Sequence, residues 1–154
     1  GGYAWKPVIF WKTLNRYKCK VVWMDAGTLI TDSLENLKKY ICWKGYFWHY
    51  SPGTIQEWTH EKTLTYLEVP GKFYNCRNLS ASVIAVDYKF EIALIVAYEW
   101  KNCAMDKNCI SPDGSDRSNH RQDQSALTIL TYKRGLATGL KLRKTGFMIQ
   151  QDID

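Results

Sequence analysis

The sequence predicts an α/β fold in which a mixed, mostly parallel central sheet is flanked by helices. Three observations predict it. Residues 21–24 and 82–86 are short apolar runs with the length and composition of buried strands. The stretches around them place apolar residues at helical spacing. The two patterns alternate along the chain, as they do where helices wrap a sheet. A length of 154 residues, 45% hydrophobic and 23% charged, has the size and balance of one globular domain and excludes disordered, collagen-like or coiled-coil chains. The densest apolar stretch, residues 90–96, is far shorter than the ~18 residues that cross a bilayer. With a mean hydropathy of -0.37, no membrane span is expected in this segment.

Taken in order, residues 4–17 read as a helix with Trp5, Val8, Trp11 and Leu14 on one side and Pro7 in the first turn, where its missing N–H costs nothing. Residues 21–24 read as a buried parallel strand closed by the acidic turn Asp25-Ala26-Gly27. Asp32-Ser33 then caps a helix with apolar positions 34, 37, 40 and 41, and Gly45 ends it. A second strand covers 46–50, Ser51-Pro52-Gly53 turns the chain, and 54–67 form one or two short helices broken near Thr59-His60, where Thr59 can cap. Pro70-Gly71 turns again, 75–78 is a polar loop, and 82–86 is a third strand. Asp87 opens a helix reaching Asn102, with Phe90, Ala93, Leu94 and Ala97 on its stripe. A Ser, Asp and Gly-rich loop spans 111–118, a helix follows over 121–133, and 140–153 alternates as a last strand with Leu142, Phe147 and Ile149 inward.

Charge narrows the partners only slightly. Twenty-one Lys and Arg against 15 Asp and Glu give +6, but the bases are scattered apart from Lys141, Arg143 and Lys144, and most of the aromatics sit at core spacing. No nucleic-acid module is present, and no nucleic-acid partner is expected. Five cysteines, at 19, 42, 76, 103 and 109, form no CxxC pair and no zinc-like set. Cys103 and Cys109 bracket a short polar loop, which fits either a local disulfide in an oxidising compartment or two ordinary thiols. Asn78-Leu79-Ser80 is a glycosylation sequon.

Three groups could carry chemistry. Asp25 at the end of a strand, followed by the small residues Ala26 and Gly27, suits a divalent cation holding phosphates, and equally suits a carboxylate accepting N–H bonds in a tight turn. His120-Arg121-Gln122-Asp123-Gln124 opens a helix, where free N–H groups would hold Asp123 ionised and aimed at a hydroxyl, or where Asp123 and Gln124 simply complete the first turn. Ser51, Thr54 and Trp58, with His49, Tyr50 and His60 nearby, offer the hydroxyls and indole face that a sugar ring needs. His49 and His60 lack the spacing of a helical metal pair. No nucleophile elbow, P-loop, dinucleotide fingerprint or zincin motif is present.

In combination, Tyr3-Ala4-Trp5-Lys6-Pro7, Trp23-Met24-Asp25-Ala26-Gly27, Ser51-Pro52-Gly53-Thr54, Trp58-Thr59-His60 and the run 119–127 (Asn-His-Arg-Gln-Asp-Gln-Ser-Ala-Leu) resemble GT-A-like glycosyltransferases. More narrowly, they resemble the eukaryotic nucleotide-diphospho-sugar transferase-like proteins. The resemblance implies a GT-A-like sheet and transfer of a sugar from a nucleotide-sugar donor to a hydroxyl acceptor. It implies Asp25, Ala26 and Gly27 at the nucleotide-sugar and metal site with Mn2+ or Mg2+. It implies Asp123 as catalytic base, with Arg121, Gln124 and His120 in acceptor or phosphate contact and Ser51, Thr54 and Trp58 beside them. Gly27 stands where the second Asp of the family's Asp-x-Asp pattern would be, which motivates a rival reading, a noncatalytic carbohydrate- or protein-binding domain on the same scaffold. The resemblance also implies a Golgi or other secretory-lumen setting, in which Asn78 and the pair Cys103 and Cys109 acquire meaning, and a single domain over 1–154 that lacks the N-terminal nucleotide-binding strands.

Overall fold

The computed structural model describes residues 2–136 and 141–149. The chain begins with helix α1 (Trp5–Tyr17), whose buried residues are Lys6, Pro7, Phe10 and Leu14. Trp5, expected on the inner side, is 53% exposed. Strand β1 (Lys20–Met24) and the short β2 (Thr28–Ile30) precede α2 (Glu35–Lys44). Strand β3 (Tyr46–Thr54) and the short helix α3 (Glu61–Tyr66) lead to the long strand β4 (Arg77–Asp87). Helices α4 (Glu91–Ala104), α5 (Lys107–Ile110) and α6 (Asp123–Lys133) follow, and β5 (Phe147–Ile149) comes last.

The sheet corrects the predicted fold class. Its three strands run in the order β1-β4-β3, and both pairings are antiparallel. Strands β2 and β5 form a separate antiparallel pair. Among the described residues there is no parallel pairing, so the mostly parallel GT-A-like sheet is not the architecture seen. The misreading has a physical cause. A continuous apolar run reports that a strand is covered on both faces, and says nothing of its direction. Strand β4 is covered in this way: Ile84 and Val86 face one apolar cluster, while Val83 and Ala85 face another. Strand β1 is only half-buried, its exposure alternating residue by residue as on a sheet edge.

Three layers result. On one face of the sheet α1, α4 and α6 pack Phe10, Leu14, Val96, Trp100 and Leu127 against Trp48 and Ile84. On the other, Leu37 and Ile41 of α2 join Phe47, Val83 and Phe147. Gly45 ends α2 with φ at 79°, and a side chain there would meet the ring of Phe90 at 2.1 Å, so this stop requires glycine.

Several boundaries move from their expected places. Ser51-Pro52-Gly53 continues β3 across a register shift and is not a turn between elements. Strand β4 begins five residues before Ser82, absorbing Asn78. Asp87 ends β4 and does not cap α4; its carboxylate accepts the Lys89 N–H at 3.0 Å and pairs with Lys20 at 3.0 Å. His60, not Thr59, caps α3 by accepting the Lys62 N–H. Of the expected last strand only Phe147–Ile149 is a strand, Leu142 lies in a 3-10 turn, and residues 140 and 150–153 fall outside the described residues.

Candidate functional site

The site lies where the start of α1, the end of β1, the middle of β4 and the start of α6 meet. Each arrives there for a local reason. Helix α1 turns its Lys6-Phe10-Leu14 stripe inward, which carries Lys6 to the sheet. Strand β1 ends in a turn in which the Asp25 N–H donates to the Ser82 carbonyl at 2.8 Å, fixing Asp25 beside β4. Helix α6 is pinned three ways. The Trp100 indole N–H donates to the Asp123 carbonyl at 2.7 Å. The Leu79 N–H donates to Thr128 Oγ1 at 3.0 Å, and the Ser125 hydroxyl donates to the Trp58 carbonyl.

The ammonium of Lys6, only 4% exposed, sits in a cage of oxygens. Its Nζ lies 3.0 Å from Asp25 Oδ1, 3.1 Å from Asp123 Oδ2 and 3.3 Å from the Ala81 carbonyl. The second Asp25 oxygen is at 3.2 Å. The Trp23 indole N–H adds a bond of 2.7 Å to Asp25 Oδ1. Asp25 and Asp123, 98 positions apart in sequence, therefore share one lysine.

The two carboxylates differ in setting. The Asp25 side chain is 39% exposed and that of Asp123 only 6%. Burial pushes the Asp123 carboxyl up to about 6, against the pull of Lys6 beside it. Its Oδ2 is fully buried and, apart from the charge contact with Lys6, receives no hydrogen bond. A cavity of about 220 Å3 opens over this group, bordered by Tyr3, Ser82 and Gln122 and by the cations Arg117 and Arg121. Gln122, the residue before α6, is held at φ 49° and ψ -116°. A non-glycine residue there stores strain of about 1–3 kcal/mol, a common feature of ligand-binding loops.

The expected site residues fall into three sets. Asp25, His120, Arg121, Asp123 and Gln124 all border this cavity. Ser51 and Trp58 flank it: the Gln124 side-chain amide donates to Ser51 Oγ at 3.4 Å, and the Arg121 guanidinium lies 3.8 Å over the Trp58 ring. The face of Trp58 read as a sugar platform is thus taken by an arginine. Ala26, Gly27 and Thr54 do not border the cavity; the Thr54 hydroxyl is engaged with Glu57 in its own turn. His120 is fully buried and its ring is committed, Nδ1 accepting the His60 N–H at 3.3 Å and Nε2 donating to the Ile110 carbonyl at 3.1 Å. Burial lowers its pKa, which agrees with a neutral ring.

Cys103 and Cys109 form a disulfide. Asn78 is completely buried in β4, where its Oδ1 accepts from the Thr128 hydroxyl at 2.8 Å, so this fold leaves no room for a glycan on it.

Sequence reasoning gave no site role to Lys6, Tyr3, Ser82, Arg117 or Gln122. Lys6 had a readable signal. A lysine that falls with Phe10 and Leu14 on one helical stripe is either a flaw in the core or a charge with buried partners. Ser82 opens onto a second polar group beneath the cavity floor. The Ser82 hydroxyl donates to His49 Nε2 at 3.2 Å, His49 Nδ1 donates to the Tyr50 carbonyl at 3.3 Å, and Ser80 Oγ lies 2.8 Å from Ser82 Oγ. Burial lowers the His49 pKa to about 4, so this string is uncharged.

The donor set does not fit the divalent cation that the resemblance implies. Both Asp25 oxygens are engaged, Gly27 supplies no carboxylate, and the place between Asp25 and Asp123 holds the Lys6 ammonium. Among the described residues no group of three or more His, Cys, Asp or Glu converges to hold a metal ion. No described helix is long and apolar enough to cross a membrane. Set beside family models, curated proteins and solved structures, the chain matches none of them, and the chemistry must be argued from these residues.

Proposed function

We propose that this cavity serves glycosyl transfer, holding a sugar hydroxyl against Asp123 while the anionic part of a nucleotide-sugar lies along Arg117 and Arg121. One observation carries the reading: a carboxylate buried to all but 5%, held by the Lys6 ammonium at 3.1 Å, borders a polar cavity. A hydroxyl is a group that such a cavity can bring to the carboxyl, and a carboxylate with a raised pKa can take its proton as a glycosyl acceptor attacks. The cavity, about 220 Å3, is smaller than the ~300 Å3 at which drug-sized pockets begin, so it suits one sugar ring, with the remainder of the ligand outside. Arg117 and Arg121 are exposed at its rim, where planar guanidinium groups can grip phosphate oxygens. The Cys103–Cys109 bond suits an oxidising compartment and supports a secretory-lumen setting.

Turnover of a panel of nucleotide-sugars with simple glycoside acceptors tests the reading. Asp123→Asn should lower turnover by about 10²-fold or more, and wild-type turnover should rise with pH through about 6 as Asp123 loses its proton. Equal turnover in the two proteins would reject it. The rival reading, a noncatalytic carbohydrate- or protein-binding domain, is favoured by the Lys6 contacts, which occupy the carboxylates that chemistry would use. It predicts that glycosides shift resonances around the cavity in both proteins with no transfer in either.

A further inference from the structure

The oxygen cage around Lys6 has the composition of a small cation site. Two carboxylates from distant segments and one backbone carbonyl converge on a single point, all between 3.0 and 3.3 Å from Nζ. Hard divalent cations select such oxygens at shorter range, ~2.0–2.6 Å. An ammonium occupies the same oxygen arrangement with a single positive charge on a covalently attached group. Its position is built. Lys6 belongs to the buried stripe of α1, with Phe10 and Leu14 locked in the main core beneath it, and the Tyr3 ring lies 5.8 Å from Nζ. We infer that Lys6 is the resident cation of this pocket, standing in place of a divalent metal: it bridges Asp25 and Asp123 and, together with Arg117 and Arg121, offsets their charge so that an anionic ligand can approach without added metal, and its removal leaves an oxygen site that binds divalent cations. The charge tally agrees, since Lys6, Arg117 and Arg121 outnumber Asp25 and Asp123 by three to two around the cavity.

This inference rests on the proposed role of the pocket only for the nature of the ligand; the cation site itself is tested without any sugar or nucleotide. Mn2+ is titrated into the wild-type protein and into Lys6→Met, which keeps the unbranched stem of the side chain but ends one atom short of the ammonium, with Lys6→Gln as a second variant should the first not fold. Amide line broadening by the paramagnetic ion is read at Asp25 and Gln124, and the thermal midpoint is read in parallel. Wild type should show no saturable broadening at these amides at ~1 mM Mn2+, weaker than even the extracellular class of divalent sites. A folded Lys6 variant should show broadening confined to them, at least about tenfold tighter, with a midpoint that rises as Mn2+ is added. Site-specific broadening in wild type would overturn the inference, as would its absence in a folded Lys6 variant. Failure of the glycosyl-transfer reading would leave both results unchanged.

Discussion

Two buried polar centres lie back to back across Ser82. On the cavity side, Lys6, Asp25 and Asp123 are ionic; beneath it, His49, Ser82 and Ser80 form a neutral string. Both sit in a sheet interior where an unpaired polar atom costs about 1–3 kcal/mol. They meet that cost differently. The neutral string closes on itself, its histidine held uncharged by burial and its last donor given to the Tyr50 carbonyl. The ionic centre stays open on one side, with the Asp25 side chain 39% exposed and both aspartates bordering the cavity. The difference separates a polar group closed within the fold from one left open to a cavity.

The largest effect should come from removing the shared cation. Lys6→Ala leaves Asp123 buried without its partner and should lose about 3–5 kcal/mol in chemical denaturation at pH 7. Part of the loss should return at pH 5, because Asp123, already raised to about 6 in the intact protein, is then protonated. A loss below about 1 kcal/mol would erase the distinction between the two centres.

Opposite pH dependences sharpen the comparison next. The Asp123 carboxyl binds a proton more readily when folded, so its contribution is present below the unfolded value of 3.8 and is lost as pH rises through about 6. His49 binds a proton less readily when folded, so its contribution is present above 6.5 and is lost as pH falls through about 4. Each difference corresponds to roughly 3 kcal/mol, and between pH 4 and 6 the two largely offset. Asp123→Asn should therefore become more acid-labile than wild type, and His49→Gln less so, in urea unfolding at pH 4.5 and pH 7. Parallel profiles in all three proteins would refute the opposition.

A change remote from both centres provides the reference. Cys103→Ser opens a loop with a sequence separation of 6 and should cost about 2 kcal/mol by loop entropy, with no effect on either pH dependence. Smallest of all, Ser80→Ala removes one hydroxyl from the neutral string and should cost about 1 kcal/mol, without altering the ligand response of the ionic centre.

Much of the secondary structure was legible because it is local. Helix α1 is residues 5–17 against an expected 4–17, α2 ends at Gly45, and α6 ends at Lys133 as read. Strand direction was not legible, since antiparallel β4, covered on both faces, carries the same apolar run as a parallel strand. Asp25 and Asp123 were each legible as carboxylates beside small or capping residues. Their meeting was not, because no spacing along the chain encodes a contact across 98 residues. Nor could sequence reveal that Trp58 is covered by Arg121 or that His120 is fully committed, since both follow from loops folding back onto α6.

By itself, then, the sequence determined which stretches are helical and which extended, and where α1, α2 and α6 end, through side-chain periodicity and capping, and it marked Asp25 and Asp123 as carboxylates at element ends. Tertiary structure alone decided that the sheet is antiparallel, that Asn78 is sealed inside it, and that one buried lysine joins those two carboxylates. The reason is common to all three. Periodicity reports which side of an element avoids water, whereas the partner met on that side depends on how distant segments share the limited space of one core.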